Sequence, residues 1–256
     1  MLTIEQLISV VREASGLMVT DGFEIMEKAG CTNIVTSSDV AVQNFLCEKL
    51  GALLEGSGFL CEEKDVYDVQ HEYTWIIDPI DGTANYSRGI DQCAICVGLK
   101  HAEKMVMSVV YLPRTEELFW AELGKGAFLN GRRIHVSDRK FENAVLCTAL
   151  PVYYKAHAEV CSKIILEAFG QCNDLRRFGA AAPEICYLAM GRCELYFEYL
   201  LSAWDFAAAS LILTEAGGIL TSRDGSPLCL TQPSGVVAAN TLENHKQLLE
   251  IVKRHV

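Results

Sequence analysis

Acidic residues that adjoin apolar segments are the part of this sequence best suited to chemistry. Three groups have this placement: Glu62 and Glu63 after the apolar run Phe59–Cys61, Asp78 and Asp81 after Trp75–Ile77, and Asp205 after Trp204 at the start of an apolar helix. In open α/β sheets, polar residues just beyond strand ends build functional sites. Carboxylates at the margin of a core are costly unless a cation neutralises them. Oxygen ligands without histidine or cysteine favour a hard cation, so the pattern predicts Mg²⁺ before Zn²⁺.

The motif from Asp78 to Thr83 also indicates a phosphate site. Its proline fixes a turn, so that Asp78 and Asp81 can point into one pocket, which the carbonyl of Ile80 can also face. Gly82 lets the backbone approach a ligand closely, and the amides from Thr83 onwards could open toward an anion. Divalent ions beside these amides would reverse the local sign of the charge. The motif therefore predicts a metal-dependent site for a phosphate group.

Two other chemistries use aspartates in similar motifs. Aspartyl-phosphate enzymes of the haloacid dehalogenase type need Asp-x-Asp, and aligning Asp81 with the second aspartate puts Pro79 at the nucleophile position. An EF-hand calcium loop needs oxygen ligands at alternate positions, which this spacing lacks. Neither fits these residues as well as a magnesium and phosphate site.

Composition restricts the class of protein. The chain has 256 residues, of which 50% are hydrophobic and 21% charged, and this balance disfavours intrinsic disorder. A net charge of -11 without a basic patch excludes nucleic acid and anionic membranes as expected partners. No run of about 18 apolar residues and no signal peptide are evident, so we expect a cytoplasmic protein. The 11 cysteines lie mostly in apolar segments and are expected to be reduced thiols.

Apolar periodicity predicts an alternation of helices and strands. In the first half we expect a helix over 2–18 and a second helix that follows possible N-caps at 36–39 and ends at Gly56. Strands are expected at 59–61 and 74–77, and antiparallel strands between 93 and 129. In the second half, strands at 145–150, 195–197 and 235–239 alternate with helices at 156–169, 182–190, 203–216 and 242–254. The alternation indicates α/β layering. The polar stretch Ser137–Lys140 predicts a boundary between subdomains 1–140 and 141–256.

Two long motifs resemble the inositol monophosphatase family of Mg²⁺-dependent, lithium-sensitive phosphatases. They are Trp75–Tyr86, with the sequence WIIDPIDGTANY, and Trp204–Gly218, with the sequence WDFAAASLILTEAGG. Supporting matches are Val35–Asp39, Glu62–Glu63, Gly124–Gly131 and Arg176–Gly179, so the resemblance covers essentially the whole chain. It implies a five-layer α-β-α-β-α sandwich, a homodimer, and a small phosphorylated polyol or sugar as the substrate.

The resemblance also implies a role for each matching residue. Glu62, Asp78 and the carbonyl of Ile80 would hold a first Mg²⁺ ion, Asp78, Asp81 and Asp205 would hold a second, and Glu62 could touch a weaker third. Thr83, hydrogen-bonded to Asp39, would orient the attacking water, and the amides of Gly82 and Thr83 would grip the phosphate. Gly179, Ala180, Ala181 and Glu198, on the C-terminal subdomain with Asp205, would face the alcohol part of the substrate. Lys28 and Glu63 are further candidates near the site.

The expected activity is hydrolysis of inositol 1-phosphate or a similar ester by metal-activated water. Ala180 stands where family members often have serine or threonine, which removes a hydroxyl from the expected substrate pocket. Histidinol phosphate, fructose 1,6-bisphosphate and 3′-phosphoadenosine 5′-phosphate therefore remain alternative substrates. A different class of function, a non-catalytic regulatory binding protein on the same scaffold, also remains open, although the complete set of ligands disfavours it.

Overall fold

A computed structural model describes residues 2–19, 21–27, 34–63 and 67–256 of the chain. Its helices are α1 (Ile4–Ser15), α2 (Ser37–Leu53), α3 (Thr83–Tyr86), α4 (Ala158–Phe169), α5 (Ala181–Ala189), α6 (Ala203–Glu215) and α7 (Leu242–Lys253). Its first ten strands are β1 (Ile25–Glu27), β2 (Ile34–Thr36), β3 (Gly58–Cys61), β4 (Tyr67–Asp68), β5 (Tyr73–Asp81), β6 (Ala94–His101), β7 (Lys104–Leu112), β8 (Glu117–Glu122), β9 (Gly126–Leu129) and β10 (Arg132–Ile134). The remaining strands are β11 (Val145–Thr148), β12 (Asp174–Arg176), β13 (Leu195–Leu201), β14 (Ile219–Ser222) and β15 (Ser234–Ala239).

Two large sheets organise these strands. The first has eight strands in the order β10-β9-β8-β7-β6-β5-β3-β4, and its β3–β5 pair is parallel. The second has five strands in the order β12-β11-β13-β15-β14, with β11 parallel to both of its neighbours. A short β1–β2 ribbon precedes α2. Among the described residues, none of the helices has the length and apolar character needed to cross a bilayer.

The alternation of side chains along β5 shows how the first three layers pack. Trp75 and Ile77 face the core that α1 and α2 cover, whereas Ile76 faces the core formed with α5 and α6. Successive side chains of a strand point to opposite faces of the sheet, so an apolar strand such as β5 must be covered on both sides. The eight-stranded sheet is therefore sandwiched between two pairs of helices.

The second sheet repeats this arrangement. Tyr196 of β13 packs toward α5 and α6, while Leu195 and Phe197 face a separate core that α4 and α7 cover. The layers run α1/α2, eight-stranded sheet, α5/α6, five-stranded sheet, α4/α7. This order confirms the predicted α-β-α-β-α sandwich. Residue 140 lies between β10 and β11, and the division into subdomains 1–140 and 141–256 stays a prediction.

Helix α2 begins where the sequence supplies its N-cap. The side chain of Thr36 accepts a hydrogen bond from the amide of Asp39, and the Asp39 carboxylate accepts one from the amide of Thr36 at 2.8 Å. This reciprocal capping box satisfies two amides that an uncapped helix start would leave without partners. It also fixes the Asp39 side chain at a buried helix end.

Strand β5 differs from the prediction, which ended it at Ile77. The strand continues through Pro79 to Asp81, and its pairing with β6 shifts register between Asp78 and Asp81. A proline lacks the amide for a ladder hydrogen bond, so in a central strand it is tolerated at a bulge. Pairing with β6 outweighs the local tendency of the proline to end the strand. The bulge places both aspartates at the end of a fixed strand.

Candidate active site

The predicted acidic residues occupy three neighbouring ends of secondary structure. Glu62 follows β3 directly, and its amide donates to the carbonyl of Ile77 on the parallel strand β5 at 3.2 Å. Asp78 and Asp81 lie in the last four residues of β5. Asp205 is the third residue of α6, which packs on the same sheet. Because β3 and β5 are parallel, their carboxyl ends meet at one edge of the sheet.

Asp78 is buried among these acids, and its pKa is raised. Its side chain is 2% exposed, and burial raises its pKa well above the ordinary range of an aspartate. The negative charges of Glu62, Asp81 and Asp205 raise the pKa further. Like charges act on each other this strongly only when they are close. The four carboxylates therefore form one acidic cluster, which we call the carboxylate cluster.

Asp81 and Asp205 have perturbed pKa values for the same reasons. Burial raises the pKa of Asp81 to about 7, although hydrogen bonds from the amides of Ala182 and Ala181 oppose the shift. Burial, followed by the charges of Asp81 and Glu62, raises the pKa of Asp205 well above its ordinary range. Asp81 belongs to the N-terminal half of the sequence and Asp205 to the C-terminal half. The cluster therefore joins the N-terminal and C-terminal halves.

A main-chain amide holds one oxygen of each aspartate in the carboxylate cluster. Asp78 Oδ1 accepts from the amide of Ile80 at 3.0 Å, Asp81 Oδ2 from Ala182 at 2.6 Å and Asp205 Oδ2 from Ser202 at 2.7 Å. Within the described ranges, no three acidic, histidine or cysteine side chains converge as closely as the ligands of one ion do. An ion bound here would have to draw the carboxylates inward.

The donor set of the cluster fits a hard divalent cation. Its groups are carboxylates and the neighbouring carbonyl of Ile80, which are oxygen ligands of the kind that Mg²⁺ prefers. Buried carboxylates that raise one another's pKa are stabilised by a positive charge placed between them. The residues present are therefore suited to Mg²⁺.

Asp39 and Thr83 form a hydrogen-bonded pair beside the cluster. Asp39 is fully buried, and its Oδ1 lies 3.2 Å from the hydroxyl of Thr83. The same hydroxyl lies 3.0 Å from the carbonyl of Ile80. The hydroxyl and the amide of Thr36 both donate to Asp39 Oδ2, which fixes the carboxylate. Burial raises the pKa of Asp39, these hydrogen bonds lower it, and the charge of Glu62 raises it.

Gly82 is a position where the backbone conformation and the available space both require glycine. Its φ of 86° lies in the left-handed region, and an added Cβ would come within 2.9 Å of the carbonyl of Gln92 and 3.0 Å of the methyl of Ala180. A residue with a side chain would be strained and would collide with main-chain atoms. The turn between Asp81 and Thr83 thus lies directly against the segment around Ala180.

The predicted substrate-facing residues include Ala180, whose methyl group lies next to this turn. Ala180 and Ala181 are 3% and 5% exposed, so their methyl groups are packed inside the protein. Glu198 accepts a hydrogen bond from the hydroxyl of Tyr196 at 2.9 Å, and burial raises its pKa to about 7, with the charge of Asp81 adding to the shift. Gly179 adopts a φ of 84°. Lys28 lies outside the described residues.

The sequence analysis missed Glu184, a buried acid on α5 next to this segment. Glu184 is fully buried, and its Oε1 accepts from the amides of Phe178 and Gly179 at 2.7 Å and 2.9 Å. On the other side, the amide group of Asn85 donates to the carbonyl of Phe178 at 2.7 Å. Glu184 and Asn85 together fix the main chain that leads to Ala180. The one signal in the sequence is an acid within the otherwise apolar helix Ala181–Ala189.

We expect Glu184→Gln to make the stability of the metal-free protein less dependent on pH. Burial and the charge of Glu198 raise the pKa of Glu184 to about 8, whereas the ordinary value is 4.5. The folded state therefore holds this proton more tightly than the unfolded state, and stability is lost as pH rises from about 4.5 to about 8. Glutamine keeps the acceptor oxygen and cannot ionise.

The measurement is urea unfolding in EDTA at pH 5 and pH 9. The free energy of unfolding of Glu184→Gln, taken relative to that of the wild type, should increase by more than about 1.4 kcal/mol from pH 5 to pH 9. This amount is equivalent to one pKa unit. Glu184→Leu is the matched control, because it leaves two amides without an acceptor and should be destabilised at both pH values. An equal difference between glutamine variant and wild type at both pH values would contradict this role.

The chain is similar to known proteins over nearly its whole length. The chain matches the Inositol monophosphatase family over residues 3–256. It is 34% identical to an inositol-1-monophosphatase of Caulobacter vibrioides over 95% of this chain and 98% of that protein. It is 36% identical to Nus factor SuhB of Vibrio cholerae over 88% of this chain and 85% of that protein. The crystal structure of the extragenic suppressor protein suhB from Bartonella henselae superposes with a TM-score of 0.91 at 28% identity, covering 99% of both chains. The chain therefore belongs to the inositol monophosphatase family.

Proposed function

We propose that this protein is a Mg²⁺-dependent phosphomonoesterase that hydrolyses inositol 1-phosphate or a similar small polyol or sugar phosphate. The observation that carries the proposal is the carboxylate cluster of Glu62, Asp78, Asp81 and Asp205 beside the Asp39–Thr83 pair, where burial and neighbouring negative charges raise the pKa of Asp78 and of Asp205. Such a cluster is unfavourable in a folded protein unless it binds cations. The relative named inositol-1-monophosphatase supports the same activity.

Two sets of ligands in the cluster would hold the ions. Glu62, Asp78 and the carbonyl of Ile80 form one set, and Asp78, Asp81 and Asp205 form the other. Bound Mg²⁺ would supply positive charge for the phosphoryl oxygens and would lower the pKa of a bound water. Asp78 belongs to both sets, and its buried position in β5 would hold its carboxylate in place for either ion. Glu63 is a further candidate, with no separate role assigned.

The Asp39–Thr83 pair would orient the attacking water. When the hydroxyl of Thr83 donates to Asp39, the lone pairs of its oxygen remain available to accept a hydrogen bond from water. Hydrolysis forms a bond between the water oxygen and phosphorus and breaks the bond between phosphorus and the ester oxygen, and the alcohol leaves with a proton. The amides of Gly82 and Thr83 would hold the phosphate during this displacement. Catalysis of this kind depends on positioning and charge stabilisation.

The alcohol part of the substrate would lie against Gly179, Ala180, Ala181 and Glu198. Ala180 and Ala181 are buried, so they would contribute main-chain groups, whereas Glu198 can accept hydrogen bonds from hydroxyl groups. This environment favours a polyol or sugar. Inositol 1-phosphate is the first candidate, and histidinol phosphate, fructose 1,6-bisphosphate and 3′-phosphoadenosine 5′-phosphate are the alternatives.

The similarity to a protein named Nus factor SuhB favours a second candidate function. In this alternative, the chain acts as a regulatory binding protein on the same scaffold, with or without hydrolysis. A regulatory role does not require the carboxylate cluster to bind metal. Asp81→Asn would therefore leave such a role unchanged while it removes hydrolysis.

The test is release of inorganic phosphate from the purified protein. We expect release from at least one of the four esters in millimolar Mg²⁺, complete loss of activity in EDTA, and recovery when Mg²⁺ is restored. Lithium added at constant Mg²⁺ should lower the rate. Absence of phosphate release from every ester, with a folded protein and Mg²⁺ present, would favour the regulatory alternative.

The predicted homodimer and the cytoplasmic location are parts of the same proposal. Light scattering coupled to gel filtration would measure the mass of the particle, for which twice 28.3 kDa is expected. Nucleic acid is not among the proposed partners, because the net charge of the chain is -11.

A further inference from the structure

Three side chains spaced four residues apart on α2 contact β3 and the segments that follow β3 and β5. Asp39 meets the hydroxyl of Thr83, Gln43 meets the main chain of Glu63, and the sulfur of Cys47 lies 3.7 Å from that of Cys61. Residues at i, i+4 and i+8 lie on one face of a helix. One face of α2 therefore runs from the expected water-orienting pair along the end of β3.

Gln43 binds the main chain of Glu63 with both ends of its amide group. Its Nε2 donates to the carbonyl of Glu63 at 2.6 Å, and its Oε1 accepts from the amide of Glu63 at 2.8 Å. Gln43 and Glu63 are 2% and 3% exposed. The side chain thus acts like one more rung of a sheet, at a point where β3 has already ended at Cys61.

Two contacts, of which the pair with Gln43 is one, fix the backbone on the two sides of Glu62. On the near side, the amide of Glu62 donates to the carbonyl of Ile77 at 3.2 Å. On the far side, the two polar main-chain groups of Glu63 are bound to Gln43. Without Gln43, the amide and the carbonyl of buried Glu63 would each lose this hydrogen bond, which is costly for buried main-chain groups.

We propose that Gln43 is a positioning residue that presets Glu62 for binding a divalent cation. This inference rests on the proposed function, because it assumes that Glu62 is a metal ligand there. Gln43 itself touches neither the cation nor the substrate. It acts by fixing the direction in which the chain leaves β3, so that Glu62 stays beside Asp78 before the cation arrives. Residues that support metal ligands in this way commonly change metal affinity about 10–100-fold when they are replaced.

The experiment measures Mn²⁺ binding by electron paramagnetic resonance, with Mn²⁺ in place of Mg²⁺. Gln43→Met keeps the length of the side chain and removes both hydrogen bonds. We expect about 10–100-fold weaker Mn²⁺ binding than in the wild type. In the phosphate-release assay, the Mg²⁺ concentration for half-maximal rate should rise by a similar factor. At saturating Mg²⁺, kcat should return to within about threefold of the wild type.

Asn244→Leu is the matched control. Asn244 is 3% exposed, and its side chain also clamps main chain, donating to the carbonyl of Arg139 at 2.9 Å from a position on α7. Its replacement should lower the melting temperature without weakening Mn²⁺ binding. If Gln43→Met does not fold, Gln43→Asn provides the second variant, since it keeps the amide but is one methylene too short to reach Glu63.

The outcomes separate this inference from the proposed function. Unchanged Mn²⁺ affinity in both Gln43 variants, or an equal loss in Asn244→Leu, would overturn the role of Gln43. If the wild type binds Mn²⁺ but hydrolyses no ester, the proposed function fails, while weaker binding in Gln43→Met still supports the positioning role. If the wild type binds no Mn²⁺, both fail.

Discussion

Asp81→Asn should lower kcat/KM by a factor of about 10³ or more and leave the fold intact. The substitution removes one negative charge from the carboxylate cluster, so binding of divalent cations should weaken sharply. Metal ions at such sites contribute several kcal/mol of transition-state stabilisation, and each ~1.4 kcal/mol corresponds to a tenfold change in rate. Phosphate release at several Mg²⁺ concentrations measures the loss.

The fold should survive because asparagine can replace the structural role of Asp81. Helix α5 has no N-cap side chain of its own, since Ala180 occupies that position. Instead, Asp81 from the N-terminal half accepts from the amide of Ala182 in the first turn of α5. The carbonyl oxygen of asparagine can accept the same hydrogen bond, and asparagine is among the preferred N-cap residues.

Thermal unfolding in EDTA provides the control for this substitution. Without metal, Asp81→Asn removes a charge that the other carboxylates repel, so the variant should be at least as stable as the wild type. Asp81→Ala should be inactive and also less stable than Asp81→Asn by about 0.5–2 kcal/mol, because it loses the cap. Substantial turnover in Asp81→Asn with metal present would contradict the proposed function.

Local patterns predicted the helices, most strands and α/β layering, whereas the order of the five layers was implied by the family resemblance. Strands such as β5 carry apolar residues on both faces, so they need cover on both sides, and this requirement leads directly to alternating layers of sheets and helices. Acids just beyond apolar strands gave the expected ligands for the same local reason. Their roles as ligands remain predictions, to which the structure adds that Glu62, Asp81 and Asp205 lie near enough to Asp78 for their charges to raise its pKa.

Contacts between distant segments were not predictable from local patterns. The cap that Asp81 provides to α5 joins residues 101 positions apart, and the pairing of Gln43 with Glu63 joins residues 20 apart. A glutamine or an acid in a helix has no local feature that specifies such a partner. The extension of β5 through Pro79 has a similar cause, because it depends on pairing with β6.

Thr83→Val should lower kcat by a factor of about 10²–10⁴, whereas Thr83→Ser should stay within about tenfold of the wild type. The expected loss is the usual contribution of a positioned group that handles a proton. Valine preserves the size of threonine but removes the hydroxyl that binds Asp39, while serine keeps the hydroxyl and loses the methyl group. KM should change little, because the hydroxyl would orient water rather than the alcohol part of the substrate.

Which of the two variants is the more active distinguishes a role of Thr83 in orienting water from a role in packing. If Thr83 served packing alone, valine would be the better replacement, since it fills the same volume and serine leaves a gap. If the hydroxyl orients the attacking water, serine must be the better one by a wide margin. Initial rates at saturating Mg²⁺ and substrate, together with urea unfolding of each variant, measure both effects. Valine should cost about 1 kcal/mol of stability, because buried Asp39 loses a hydrogen-bond donor. A valine variant as active as the serine variant would refute the role assigned to the Asp39–Thr83 pair.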